Sequence, residues 1–145
     1  MASYRFKLQK LLELKVNLEE EKKNQLGLAF QRLNDENEKL KQLRIELSNA
    51  DKELKDQAKD GIEIRELKVC TQGIDYYKSL IKKQILSVKM ADEYVEVCRS
   101  ELIKASQDKK VMEKLKDKDY VKYLYTEQKK EDRIVDELVS FKQNN

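Results

Sequence analysis

The chain has 145 residues, of which 41% are charged and 39% apolar, and it contains no Trp, Pro or His. So little apolar material cannot fill an ordinary globular core, in which about a quarter of residues are charged. The 31 basic and 28 acidic side chains nearly cancel, which argues against a disordered polyelectrolyte and against a nucleic-acid surface.

The charge is also evenly spread. Residues 1–60 carry 13 basic and 12 acidic groups, and the remainder carries 18 and 16, so no basic face is concentrated along the chain. A composition led by Leu, Lys and Glu without proline is that of long helices and coiled coils. In chain order, a first helix is expected over about 3–60, a turn near 61–63 and a second helix over about 64–142. The whole chain, 1–145, then forms one all-α antiparallel coiled-coil hairpin whose second helix is the longer.

Periodicity carries that expectation. Leu26, Leu33, Leu40, Leu47 and Leu54 recur every seven residues, with Ala29, Glu36, Leu43, Ala50 and Gln57 three positions further on. After the turn come Leu67, Ile74, Ile81, Val88, Val95 and Leu102, accompanied by Cys70, Tyr77, Gln84, Ala91, Cys98 and Ala105. Such ladders, held for five or six heptads, are the a and d positions of a coiled coil. Folding the chain so that paired residue numbers sum to 124 sets Leu54 on Cys70, Leu47 on Tyr77, Leu33 on Ala91 and Leu26 on Cys98. The alternate layers pair Ala50 with Ile74, Leu43 with Ile81 and Ala29 with Val95. Large residues mostly oppose small ones, as interdigitation requires. The centre of this register lies beside Gly61, which can adopt the left-handed conformation that ends a helix.

The same register weakens at the open end, where Lys15 would face Lys109 and Glu19 would face Ala105. Leu12 and Met112 form the last apolar layer. The first helix then runs out opposite residue 119 or 120, and roughly 25 residues of the second extend past it, about 38 Å as helix. Gly73, inside the second helix, reads either as a kink or point of close approach, or as a tolerated defect costing about 1 kcal/mol.

Chemistry has few footholds. There is no phosphate-binding GxxxxGK[ST] loop, no histidine for acid–base work, and the acidic runs "LEEEKK" and "KEDRIVDEL" read as solvated helix faces. An enzyme, a cofactor and a metal site are not expected. Cys70 and Cys98 lie 28 residues apart on one expected helix, about 42 Å, too far for a disulfide between them. They fit the seam as small apolar groups in a reducing compartment. No signal peptide or membrane-spanning apolar run is evident, so a cytosolic protein without direct membrane insertion is expected. Tyr76 and Leu80, one turn apart in "DYYKSLIKK", lie beside the seam as a candidate docking pair.

Taken together, "YRFKLQKLLELKVNLEEEKKNQLGLA", the "DGI" turn, "DYYKSLIKK" and "YTEQKKEDRIVDEL" resemble the FliJ family of flagellar type III export proteins. The resemblance spans essentially the whole chain. It implies a hairpin similar to the central stalk subunit of rotary ATPases, seated in the ring of the export ATPase and promoting its assembly and activity. It further implies contact with the membrane export gate protein and with export chaperones, at the inner face of the cell membrane at the flagellar base. The family's gate-binding pattern, an aromatic residue followed four positions later by Leu, maps onto Tyr76 and Leu80, with Tyr in place of Phe.

Given an ATPase partner, the unpaired end of the second helix and the start of the first are the candidate contact. The residues are Arg5, Leu8, Leu12, Tyr120, Tyr123, Leu124, Ile134, Leu138 and Phe141. A stalk of a virulence type III system or of a rotary ATPase would show the same fold and composition. A free-standing coiled-coil scaffold is the other alternative, against which a monomer in solution would count, because a hairpin satisfies its own seam.

Overall fold

The structure, a computed structural model, describes residues 3–143. It contains two helices, α1 (Gln9–Lys59) of 51 residues and α2 (Ile64–Gln143) of 80 residues. No strand occurs among the described residues. The fold is an all-α helical hairpin, as the ladders require.

Between the helices the chain turns where the sequence placed the break. Gly61 has φ 88° and is the one positive-φ residue among those described. The end of α1 tightens as Asp60 N–H donates to the Gln57 carbonyl (3.3 Å) and Gly61 N–H to that of Ala58 (3.4 Å). Lys59 sits in this last turn, where a cation complements the carbonyl ends of the helix. Opening α2, the Glu63 carbonyl accepts from Leu67 N–H at 2.9 Å, and Glu66 supplies an acid to the first turn.

The start of α1 departs from expectation. It begins at Gln9, not at about residue 3. Its first turn holds no acidic residue, and no Ser, Thr, Asp or Asn stands at the position that would cap it. A single tight bond from Gln9 N–H to the Phe6 carbonyl (3.1 Å) starts it instead. The residues ahead of it run outside the helix.

The chain divides into two compact units. In the unit Lys23–Glu101, Ala29, Val95 and Cys98 form the buried cluster, with Leu26 and Leu33 packed against it. These are the Ala29–Val95 and Leu26–Cys98 layers of the sequence register. Each buried Val or Leu side chain stabilises by about 1.5–3 kcal/mol. At the edge of this seam, the Arg99 guanidinium lies 5.5 Å from the Phe30 ring centroid and covers it. Towards the turn the seam loosens, and Gln57 and Leu67, both ladder positions, are exposed.

The other unit joins the chain up to Lys22 with the chain from Leu102 on. Its buried apolar residues are Leu12, Ala105 and Met112. Among the described residues, all eight buried apolar side chains and the one buried acid, Glu19, stand on the seven-residue ladders. That is a strong agreement between period and burial.

Two polar contacts interrupt the seam. Gln84 Nε2 donates to the Glu36 carbonyl at 2.8 Å and to the Glu36 carboxylate. In the other unit, Lys109 finds acids beyond the layer it was expected to share with Lys15. Its Nζ reaches along the seam to Glu19 at 2.9 Å and to Glu113 at 3.7 Å. The hydrogen bond to Glu19 outweighs the opposing effect of burial and raises the Lys109 ammonium above its ordinary value of 10.5. Gly73 lies inside unbroken α2, and a Cβ built there would meet nothing within 4 Å.

Polar pairs inside a seam fix register at a cost in stability. Replacing Glu36 and Gln84 together by Leu should therefore raise the thermal midpoint by several degrees. It should also broaden the species distribution seen by sedimentation velocity. An unchanged midpoint would mean that the pair costs nothing where it sits.

Candidate functional site

Two surfaces hold the residues singled out from the sequence, one in each unit. In Lys23–Glu101, Tyr76 is 63% exposed and its ring lies 6.2 Å from that of Tyr77. Tyr77 occupies the seam, and one residue back along the helix the side chain is rotated by about 100° to solvent. Leu80, one turn on, is half-buried. The pair thus presents a phenol edge and an aliphatic base on one flank of α2.

In the other unit the N-terminal segment docks on α2. The Tyr4 ring meets Tyr120 edge-on with centroids 5.0 Å apart, and tilts against Tyr123 at 5.2 Å. Tyr120 and Tyr123 stack on one another at 6.3 Å. The Tyr4 hydroxyl donates to Asp119 Oδ2 at 2.9 Å and makes a longer contact of 3.4 Å with the Lys116 carbonyl. Lys116 Nζ in turn donates to Gln9 Oε1 at 2.8 Å. Loss of solvent around the ring, followed by the Asp119 carboxylate, pushes the Tyr4 phenol up to about 12. Beside this cluster lies an open groove of about 600 Å³ to which Arg5, Lys7, Lys10 and Lys116 contribute cations.

The clasp changes the account of the expected ATPase-facing residues. Tyr120 and Tyr123 are not unpaired within the chain, because Tyr4 covers them. Leu12 is only 7% exposed, at a ladder position matched to buried Met112, so it belongs to the core. Arg5 and Leu8 are exposed. Leu124, Ile134, Leu138 and Phe141 are exposed too, and from Leu124 to Gln143 every residue is exposed except half-buried Glu127. The Lys129 ammonium sits 4.7 Å from the Tyr125 ring centroid along this stretch. Tyr4 and Asp119 were not among the residues singled out, although 4 and 120 sum to the seam register, and that arithmetic could have found the clasp.

Among the described residues, no three His, Cys, Asp or Glu side chains converge to hold a metal ion. No helix there is long and apolar enough to cross a membrane. Cys98 is buried in the seam cluster, and Cys70 is half-buried with its Sγ 3.9 Å from Gln57 Oε1.

A hairpin of two long helices with apolar side chains displayed along α2 defines a class, that of all-α helical-hairpin proteins. Comparison with protein families goes further, matching residues 4–145 to the family described as Flagellar FliJ protein. The chain belongs to the FliJ family and is a component of the flagellar export apparatus. Neither curated proteins nor solved structures gave a match.

The clasp has a spectroscopic signature. A group whose pKa is raised on folding contributes stability below its unfolded value, near 10 for Tyr, and loses that contribution as pH rises through the folded value. An ultraviolet difference titration of the wild type against Tyr4→Phe should show one of the seven tyrosines ionising near pH 12. A difference spectrum titrating near 10 would place Tyr4 in solvent.

Proposed function

We propose that this chain is a non-enzymatic stalk of the flagellar export ATPase. Its hairpin would insert in the ATPase ring, promote ring assembly and turnover, and touch the export gate and export chaperones. The protein would work in the cytoplasm, held peripherally at the inner face of the cell membrane at the flagellar base. Family membership supplies the export apparatus; the finer assignment rests on the exposed end of α2.

The single observation that carries it is the exposure of α2 from Leu124 to Gln143, broken only at half-buried Glu127. An isolated helix of this length is marginal in water, and most helical stability comes from packing an apolar face. Ile134, Leu138 and Phe141 recur at one-turn spacing, a pattern that serves no purpose unless another protein covers it. A single helix is about 10–12 Å across and fits a narrow ring pore. A two-helix body inside a six-fold ring touches its subunits unequally. Unequal contact biases their conformational equilibria, which is the thermodynamic content of activation. Arg5 and Leu8, exposed beside the clasp, complete the contact.

Removing residues 124–145 tests the assignment while leaving the Tyr4 clasp intact. The truncated protein should melt much as the full chain does, yet lose most of its stimulation of ATP turnover and of ring assembly. Stimulation that survives the truncation would place the contact elsewhere on the hairpin.

Gate docking is assigned to Tyr76 and Leu80. Changing both to Ala should weaken binding to the purified cytoplasmic part of the gate protein by tenfold or more, about 1.4 kcal/mol, with helix content unchanged. A sharp fall in melting temperature would instead show that the pair belongs to the seam.

A further inference from the structure

α2 carries a second ladder. Each seam residue of α2 from Cys70 to Leu102 is preceded by a residue rotated about 100° to one side. Those preceding residues are Val69, Gly73, Tyr76, Leu80, Lys83, Ser87, Met90, Tyr94, Val97 and Glu101. Six of the ten are large and apolar. The corresponding strip of α1 runs Gln25, Leu28, Arg32, Asp35, Lys39, Gln42, Glu46, Asn49 and Glu53, with one apolar residue in nine. The two strips have the same relation to the seam, so ordinary seam packing does not account for the difference.

Much of this side of α2 is open to solvent, although Gly73, Leu80 and Ser87 are half-buried. Val69 is 68% exposed, Met90 63% and Val97 52%. Past Val97 the strip turns polar at Glu101, Lys104 and Asp108, which bounds it to the 29 residues from Val69 to Val97, about 42 Å of helix.

We infer that the strip from Val69 to Val97 is the seat of an amphipathic helix from a partner protein, lying alongside α2 as a third helix. The inference rests on the reading of Tyr76 and Leu80 as a docking pair, and it names the shape and chemistry of what docks there. Apolar residues repeating every seven positions over this length match only another helix running beside the first. A loop or a β-strand would meet them out of step. Gly73 offers the point of closest approach, since nothing occupies the space where a Cβ would project. Lys83 stands in the middle of the strip with no ion pair among the described residues. A carboxylate opposite Lys83 would pair with its ammonium when the strip is covered. The occupant therefore carries apolar residues at heptad spacing, interrupted by Asp or Glu where it crosses Lys83.

Photo-crosslinking along the strip decides the matter. A benzoylphenylalanine residue is placed in turn at Val69, Tyr76, Met90 and Val97, and at Lys78 and Asp92 on the other flank as controls. Crosslinking is done in cells with an intact export apparatus, and the joined residues are mapped by mass spectrometry. Melting curves of the purified variants confirm folding, and because the sites are exposed they should match the wild type.

The expected result is an ordered series. Successive sites should join one partner segment at positions about seven residues apart for neighbouring heptads, running in one direction, with an acid near the point that maps to Lys83 and little product from the controls. Crosslinks that scatter, that fall on a second copy of this chain, or that are absent at Met90 and Val97 overturn the inference. The two readings fail separately. Product at Tyr76 alone into the gate protein keeps gate docking and removes the third helix. An ordered series into another protein keeps the third helix and removes gate docking.

Discussion

A helix of 51 residues with most of its surface charged cannot hold itself together in water by propensity alone. Everything else in this chain depends on the narrow seam where α1 and α2 bury their ladder residues. The seam is economical: Ala29, Ala91, Cys98 and Ala105 let the backbones approach, while Leu26, Leu33, Ile74 and Val95 fill the space beside them. Because burial is confined to one stripe per helix, most of each helix surface is left to solvent, and charge occupies it. The unusual composition follows from this geometry.

A seam made only of Leu and Ala would tolerate a slip by one heptad, since every layer resembles the next. Glu36 with Gln84, and Glu19 with Lys109, make particular registers distinguishable. Each bonds to a residue set along the seam from its matched layer, so a slip would separate partners that cannot be replaced locally. The cost falls on stability and the gain on uniqueness, the usual exchange for polar groups in coiled coils. Tyr4 serves the open end in a comparable way. It fastens the segment ahead of α1 by an aromatic cluster and a charge-assisted hydrogen bond, where a helix cap is missing.

Function in such a molecule is a matter of which stripes remain uncovered. α1 is polar outside the seam over most of Lys23–Glu101, whereas α2 repeats an apolar pattern beside it and displays another from Leu124 on. Placing the uncovered stripes on one helix leaves the other as a brace. Partner binding can then be altered on α2 without disturbing the residues that hold the hairpin together.

Much of the fold was legible in the sequence because a period of seven and a turn glycine are local signals with one geometric meaning. The ladders placed all nine residues buried among those described, and Gly61 marked the reversal that its positive φ carries out. The exposure of Tyr76 followed from its offset of one residue from the seam. Tertiary structure alone decided what happens where long side chains reach past their own layer. Lys109, expected against Lys15, swings to Glu19, because a flexible ammonium can cross a helical turn to find a carboxylate. It also decided that Tyr4 leaves the helix to pack against Tyr120 and Tyr123. Periodicity reports the face on which a side chain starts; the direction in which it reaches depends on neighbours brought near only by folding.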